Sequence, residues 1–571
     1  MATTLPRNAD VAEQFDLLAD LLELEGEDAF RVLAYRRAAA RIRESGDSVA
    51  QLALDGRAKK LQGIGKTIEE KIVQIVEHGE VEALTKRKER IPQGVVSFMR
   101  LPGLGPKTAR RIWQELGVST LDDLRQAADD QRLRTLTGLG AKTEENVLKA
   151  LAAAPARGVE KDRPLLGVAL PAVLAAVDEL REHPAAVKVS EAGSARRRKE
   201  TVRDLDIIAT ARDAAALIEH FVALPWVVEV AAKGGTKATV VSGGGLRFDL
   251  RVVPPECYGN LLQHFTGSKQ HNMGMREEAV RRGLSVSEYG VTVVETGEVL
   301  THRDEKAMYE RLGYEFIPPE LRENAGELEA ARAGELPKLV QAGHLKGDLH
   351  SHSTWSADGK STLEEMALAA IARGYQYLAV TDHSHYLREG RLERQDAEID
   401  ALSERLAPFR LLKGIEVNIR ADGSLDVSDE LLTGRDWVVA SLHSAFQRDP
   451  TERILAAMEN LHVHCIGHPT ARKIGKRTGA DVDVDRVIAK ALETGTALEI
   501  NSQPDRLDLP DTLARVAGEA GVPIAVSSDA HSAAALDYVE IGIGQARRAW
   551  LTKAQVLNTR GWPRVLTALR R

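Results

Sequence analysis

Ten of the sixteen histidines lie at or beyond His344. Six of them, His350, His352, His383, His443, His468 and His531, fall at or just after the end of a short apolar run, as do Glu416 and Asp529. Asp358 sits on the loop that follows the first of these runs. Imidazole and carboxylate donors without cysteine favour Mn²⁺, Zn²⁺ or iron over an all-oxygen Mg²⁺ site. Nine such donors exceed what one ion takes, so a cluster of two or three ions is expected. Ions held this way lower the pKa of a bound water and clamp an in-line displacement at phosphorus. Hydrolysis of a phosphoester is the chemistry that suits this set. His385, His462 and His464 read as core or supporting residues. Arg472, in GHPTAR, is either a phosphate contact or a solvated surface arginine.

A second constellation lies in GSARRRKETVRDLDIIAT, where Gly193 and Ser194 precede a basic cluster and then Asp204 and Asp206. On a strand, residues i and i+2 face the same side. Both carboxylates can therefore hold one pair of hard cations, Mg²⁺ or Mn²⁺, as phosphoryl transfer requires. Asp249, in the strand-like LRFDLRVV, is the natural third ligand.

Three segments repeat one pattern: LQGIGKTIEEKI with Gly63 and Gly65, LPGLGPKTARRI with Gly103, Gly105 and Lys107, and LTGLGAKTEENV with Gly138 and Gly140. The glycines permit a tight turn and close approach of backbone to a ligand. Amides at the helix start that follows suit a phosphate oxygen. Glu69 and Glu144 occupy one shared position of the first and third copies, where the second has Ala109.

The elements that must position these residues follow from periodicity. Residues from about 10 to 150 read as helical, with Val11, Phe15, Leu18 and Leu22 on one stripe. From about 160 to 310 strand-like runs alternate with helical stretches. Ile317–Pro337 is polar, Pro-containing and short of apolar anchors, which marks an interdomain linker. Beyond it, about seven apolar strands alternate with amphipathic helices, the pattern of parallel βα units. A closed barrel of the TIM type, with one unit missing, is expected, and an open doubly wound sheet is its competitor. In the barrel the nine candidate ligands converge on the C-terminal rim.

Composition bounds the remainder. The 571 residues carry a formal charge of −7, with 43% hydrophobic and 28% charged residues, which reads as globular. At roughly 150 residues per domain this is about four domains. Two cysteines, Cys257 and Cys465, make no disulfide framework and point to a reducing compartment. No apolar run approaches the roughly 18 residues of a membrane span, and no secretory signal is expected at the N-terminus. An acidic total does not exclude nucleic acid, because charge is locally biased.

The glycine hairpins resemble helix-hairpin-helix motifs, which grip DNA backbone without reading sequence. From about residue 1 to 315 the chain resembles the X-family DNA polymerases. That resemblance implies that Asp204, Asp206 and Asp249 bind two Mg²⁺ or Mn²⁺ ions, with Asp249 placed to activate the primer 3′-hydroxyl. It implies that Gly193, Ser194 and Arg197 hold the incoming triphosphate and that Arg251 follows the third aspartate. HFTGSKQHNMGMREEAV then supplies His264, Phe265 and Gly267 at the sugar, and Asn272 and Arg276 at the base pair and template. Arg198 and Arg203 stand where relatives often carry glycine, and Lys269 and His264 also differ from animal relatives. Lys71 matches the Schiff-base lysine of the family's 5′-deoxyribose-phosphate lyases, and Tyr35 matches its neighbouring helper.

The motifs HSH, DG, TDH, GIE, LHS, GHP and SDAH, over about 340–571, resemble the polymerase-and-histidinol-phosphatase (PHP) family. A manganese-dependent 3′–5′ exonuclease with two or three Mn²⁺ or Zn²⁺ ions is implied, with 3′-phosphatase or abasic-site endonuclease activity as further options. The fold expected is multidomain: all-α hairpin domains, an α+β nucleotidyltransferase palm and thumb, and a distorted (βα)7 TIM-like barrel. The implied divisions are 1–90 (lyase-like), 91–157 (fingers), 158–255 (palm), 256–316 (thumb), 317–340 (linker) and 341–571 (barrel). The implied partners are gapped or nicked DNA and dNTPs, with no membrane, for a monomer in the cytoplasm at the nucleoid. Two other readings are a DNA-tethered phosphoesterase with a weak or inactive polymerase site, and a DNA-end scaffold in which both sites only hold metals.

Overall fold

The computed structural model describes residues 5–569 apart from 7, 44, 46–47, 62, 89, 99–103, 105, 137–138, 141–143, 146, 149–162 and 447. Gly103, Gly105 and Gly138 of the repeated hairpins lie outside the described residues, as does the side chain of Lys107. Two compact units divide the chain, residues 1–163 with 215–250, and residues 164–214 with 251–571.

The first unit is built mainly on helices. Asn8–Glu25 carries Val11, Phe15, Leu18 and Leu22 at spacings of three and four, and all four are at most 1% exposed. They share one core with Ile68, Ile72 and Ile75 of the helix Lys66–His78 and with Ala109 and Ile112 of Pro106–Leu116. Two antiparallel strands, Val227–Lys233 and Lys237–Ser242, also belong to this unit.

The second unit begins with the helix Leu166–Arg181 and the antiparallel pair Ala186–Glu191 and Leu205–Ala211. Helices Tyr258–Thr266 and Lys269–Arg281 follow, then a small antiparallel sheet and the helix Glu305–Arg311. Residues 317–340, expected as a linker, are instead packed into this region. Ile317, Leu321, Leu328 and Ala331 are buried in one core with Met275, Met308 and Tyr309. Charge obscured this in the sequence, because Arg322 and Glu327 are themselves fully buried through ion pairs to Glu305 and His271.

Seven parallel strands then form the barrel: Gly347–Asp348, Tyr377–Val380, Arg410–Asn418, Trp437–Ser441, Cys465–Gly467, Ala497–Asn501 and Ile524–Ser527, paired in chain order. Alternation splits each strand between two cores. Tyr377, Ala379, Leu412, Trp437, Val439, Ala497 and Ala525 fill the interior, and Leu378, Val380, Leu411, Val438, Leu498 and Val526 pack on the surrounding helices. The first and last strands are joined by a parallel bridge between Ser351 and Ala530 and by Asn558, whose amide donates to the carbonyls of Gly347 and Val526 at 2.8 Å each. Trp562 covers the interior beneath Tyr377 and Trp437. This is a nearly closed, TIM-like α/β barrel of seven strands, not an open doubly wound sheet.

Candidate metal centre and nucleotide cleft

Every barrel strand but the sixth ends on a sequence-predicted ligand, and the strand ends bring them together. Interior parity places Glu416 in line with Leu412 on the third strand, at the centre of the cluster and 1% exposed. The Nε2 atoms of His443 and His468 lie 3.3 Å from Glu416 Oε1, His350 Nε2 lies 3.5 Å from it, and His383 Nδ1 lies 2.7 Å from Oε2. His352 Nε2 lies 3.1 Å from Asp529 Oδ1. The Nε2 atoms of His531 and His383 lie 3.3 and 3.4 Å from Asp358 Oδ2. His468 and Asp529 hold left-handed backbone (φ 32° and 51°), strain that non-glycine residues accept mainly at functional sites. Gly467 leaves room for the neighbours, since a Cβ there would come within 2.4 Å of Ser441 Oγ and 3.4 Å of His350 Cε1.

Donor chemistry and burial fit a metal cluster. Three sets of donor atoms, His350/His352/Asp529, His352/His383/His531 and His383/Glu416/His443, each converge within 4.8 Å. His350 Nε2, both nitrogens of His352, and Glu416 Oε1 are buried without a hydrogen-bond partner. Orphaned polar atoms of this kind are costly unless an ion takes them. Burial and the neighbouring His531 push His352 down to about 3, and burial with Arg506 pushes His468 down to about 3, so both rings are neutral and ligand-ready. Burial alone would raise Glu416 and Asp529, but the surrounding imidazoles hold both well below the usual carboxylate range.

A supporting layer orients the rings, and the sequence reading missed it. Glu499 accepts from His350 Nδ1 at 2.7 Å, from the His468 amide at 2.7 Å and from Asn501 Nδ2 at 3.1 Å. Asn418 Oδ1 accepts from His443 Nδ1 at 2.5 Å, and the Asp529 carbonyl accepts from His531 Nδ1 at 2.8 Å. Each bond fixes the tautomer that presents Nε2 to the cluster. The signal was strand parity: Ala497, Glu499 and Asn501 share the inward face. His385 is exposed with its ring 5.4 Å from that of His383, His464 stacks on Trp437, and Arg472 donates to Glu200 at 2.6 Å.

Gly193, Ser194 and Asp206 of the second constellation line an open cleft of about 400 Å³. Gly193, Ser194, Arg197, Asp206, His264, Phe265, Gly267, Asn272 and Arg276 all border it. Gly193 has φ +62° and opens a four-residue helix; a Cβ there would sit 2.1 Å from Asp206 Oδ2, so only glycine admits that carboxylate. Asp204 and Asp206 alternate with buried Leu205 and Ile207, which puts both carboxylates on one face. Arg276 Nη2 lies 3.1 Å from His264 Nδ1, Asn272 donates to the His264 carbonyl at 2.8 Å, and Arg251 lies 4.4 Å over the Phe265 ring. Arg198 takes a left-handed backbone, φ +56°, and Arg203 is 2.8 Å from Asp204 Oδ2. Asp249 belongs to the first unit, where Thr239 Oγ1 donates to it and Arg247 lies 3.6 Å away.

In that unit Gly63, at φ +85°, and Gly65 are exposed at the N-terminus of Lys66–His78. Gly140 also lies clear of neighbouring atoms. Glu69 accepts the Lys59 amide and Glu144 the Arg134 amide, both at 2.9 Å, so the two atypical glutamates brace the same turn of their repeats. Tyr35 is a core residue, with its ring 6.0 Å from Phe15. Lys71 is half-buried, and burial with Arg31 and Arg87 lowers its amine pKa. Among the described residues no helix is long and apolar enough to cross a membrane.

Family models match four stretches: a helix-hairpin-helix domain at 6–81, a SAM-like helix-hairpin-helix tandem at 96–153, the DNA polymerase beta thumb at 261–323 and the PHP domain at 348–503. Fold and sites thus define a helix-hairpin-helix nucleotidyltransferase joined to a PHP barrel. The chain is 39% identical over 573 residues to the DNA polymerase/3′-5′ exonuclease PolX of Bacillus subtilis, covering 98% of this chain and 99% of the relative. Proteins named "Probable phosphatase" from Thermoanaerobacter sp. and Syntrophotalea carbinolica are 31% and 29% identical, each over 37% of this chain and 89% and 90% of their own length. The chain belongs to the PolX family, the bacterial X-family DNA polymerases that carry a PHP domain.

Proposed function

We propose that this protein is a DNA-directed DNA polymerase that fills short gaps in repair, and that its barrel removes nucleotides from 3′ ends. The observation that carries the reading is two separate phosphoryl-transfer constellations within one match to a named polymerase/exonuclease over 98% of the chain. In the polymerase, Asp204, Asp206 and Asp249 are the oxygen donors for Mg²⁺ or Mn²⁺. Ser194 and Arg197 face the triphosphate, His264 and Phe265 the sugar, and Asn272 and Arg276 the base pair and template. The hairpin glycines Gly63, Gly65, Gly103, Gly105, Gly138 and Gly140, with Lys107, hold the DNA backbone.

In the barrel, the nine predicted ligands hold two or three Mn²⁺ or Zn²⁺ ions. Bound there, such ions supply a water of lowered pKa and neutralise charge at the scissile phosphate. The protein's own part is orientation: Glu499, Asn418 and the Asp529 carbonyl keep protons on the Nδ1 atoms of His350, His443 and His531. Burial of His350, His352 and His468 excludes bulk water from the floor of the site. The DNA-tethered phosphoesterase reading draws support from Arg203, whose contact with Asp204 competes with a cation there.

The test is an end-labelled primer on a short gapped duplex with Mn²⁺ and dNTPs. Products longer than the primer are expected, together with shortened ones that vanish in His350→Ala. Shortening alone, with no extension even in the His350→Ala background, overturns the polymerase reading.

A further inference from the structure

The basic stretch after Gly193-Ser194 is bound to the barrel residue by residue. Arg548, the last residue of the barrel helix Val539–Arg548, is 3% exposed at its side chain. Its Nη1 donates to the Arg197 carbonyl at 3.0 Å and to Glu323 Oε1 at 2.9 Å, and its Nη2 lies 2.6 Å from Asp511 Oδ2. Arg197 Nε donates to the same Glu323 oxygen at 3.0 Å, and its Nη1 to the Thr266 carbonyl. Arg198 packs on Gly544, where an added Cβ would lie 3.0 Å from the arginine's Cβ and Cγ. Glu200 accepts from Arg472 at 2.6 Å and from Gln545 at 3.3 Å.

One carboxylate oxygen thus serves two guanidinium groups. An arginine that takes both oxygens of a carboxylate is locked in a fork, which a phosphate must break before it can bind; one that shares a single oxygen is held by fewer bonds and turns to an anion more readily. Arg197 borders the cleft, so its charge and position bear on any anion that enters. Resting on the polymerase reading above, we propose that Arg548 is a positioning residue of the polymerase. By sharing Glu323 and pinning the Arg197 main chain, this barrel residue keeps the Arg197 guanidinium incompletely paired and in place for the incoming triphosphate. The exonuclease barrel therefore tunes nucleotide affinity without touching the nucleotide.

Arg548→Ala hands Glu323 wholly to Arg197 and unpins its carbonyl. The full-length protein is assayed for single-nucleotide extension against dNTP concentration, and for exonuclease on single-stranded primer. A dNTP KM raised roughly 10- to 100-fold is expected, with kcat at saturation and exonuclease each within about threefold of wild type. Arg548→Lys, which keeps the charge but not the fork, falls between the two. Unchanged KM in Arg548→Ala, or loss of both activities in Arg548→Lys as well as Arg548→Ala, overturns the proposal. If wild type itself fails to extend, the polymerase reading falls and this one with it; if wild type extends and only the KM shift is absent, this one falls alone.

Discussion

Glu499→Gln is the most direct probe of how the barrel holds its ions. The carboxylate is 1% exposed and serves three donors: His350 Nδ1, the His468 amide and Asn501 Nδ2. An amide of the same shape can accept through one atom only, so its NH₂ must face a donor on the other side. Losing a charge-assisted bond and opposing two donors costs about 1.5–3 kcal/mol, or roughly 10- to 150-fold in affinity at 1.4 kcal/mol per tenfold. Removal of outer partners of metal ligands falls in the same range, about 10- to 100-fold. The assay is exonuclease rate against Mn²⁺ concentration, with Mn²⁺ calorimetry on the same protein. Half-saturation is expected to move at least tenfold upward while the rate in excess Mn²⁺ recovers to within a few-fold, and primer extension is unchanged. A half-saturating concentration within twofold of wild type refutes the idea that Glu499 orients His350 and His468 for metal.

Three further outcomes are expected. Gly193→Ala drives a methyl to within 2.1 Å of Asp206 Oδ2 at a left-handed backbone, so extension should fall by roughly 100-fold or more with exonuclease unaffected; near-normal extension contradicts the assigned cleft. Burial raises Glu305, but Arg322 and Arg196 bring it down to about 2, against an ordinary 4.5. A depressed carboxyl contributes stability above its unfolded pKa and loses it as pH falls from about 4.5 toward 2, here about 3 kcal/mol. Glu305→Gln should therefore lower the opening free energy at pH 7 by about 3 kcal/mol and flatten its acid limb, read by amide exchange in Glu305–Arg311; unchanged protection rejects it. Lowering of the Lys71 amine favours its neutral, nucleophilic form. Lys71→Ala should abolish borohydride trapping on an incised abasic site, and undiminished trapping assigns any such activity elsewhere.

Residue type and spacing carried most of the chemistry. Histidines and carboxylates at the ends of apolar runs read as a metal cluster because strand ends in a parallel barrel share one rim. The spacing of Asp204 and Asp206 read as a shared face because strand period is two. Packing partners distant in sequence were illegible. Glu499 is separated from His350 by 149 positions, so nothing local marks it as the ring's anchor. The segment 317–340 looked like a linker because charge usually means solvent, yet Arg322, Glu305 and Glu327 are buried by pairing with one another and with His271.

The sequence by itself determined the barrel's repeat, the rim on which its histidines and carboxylates gather, and the turn at Gly63 and Gly65, since each depends on local backbone geometry and on residue chemistry. Tertiary structure alone decided the tautomers of His350, His443 and His531, the closure through Asn558, and the sharing of Glu323 between Arg197 and Arg548. Those depend on which side chains meet across long sequence separations, and long-range contacts are chosen by the packing of the whole core rather than by any segment's own preference.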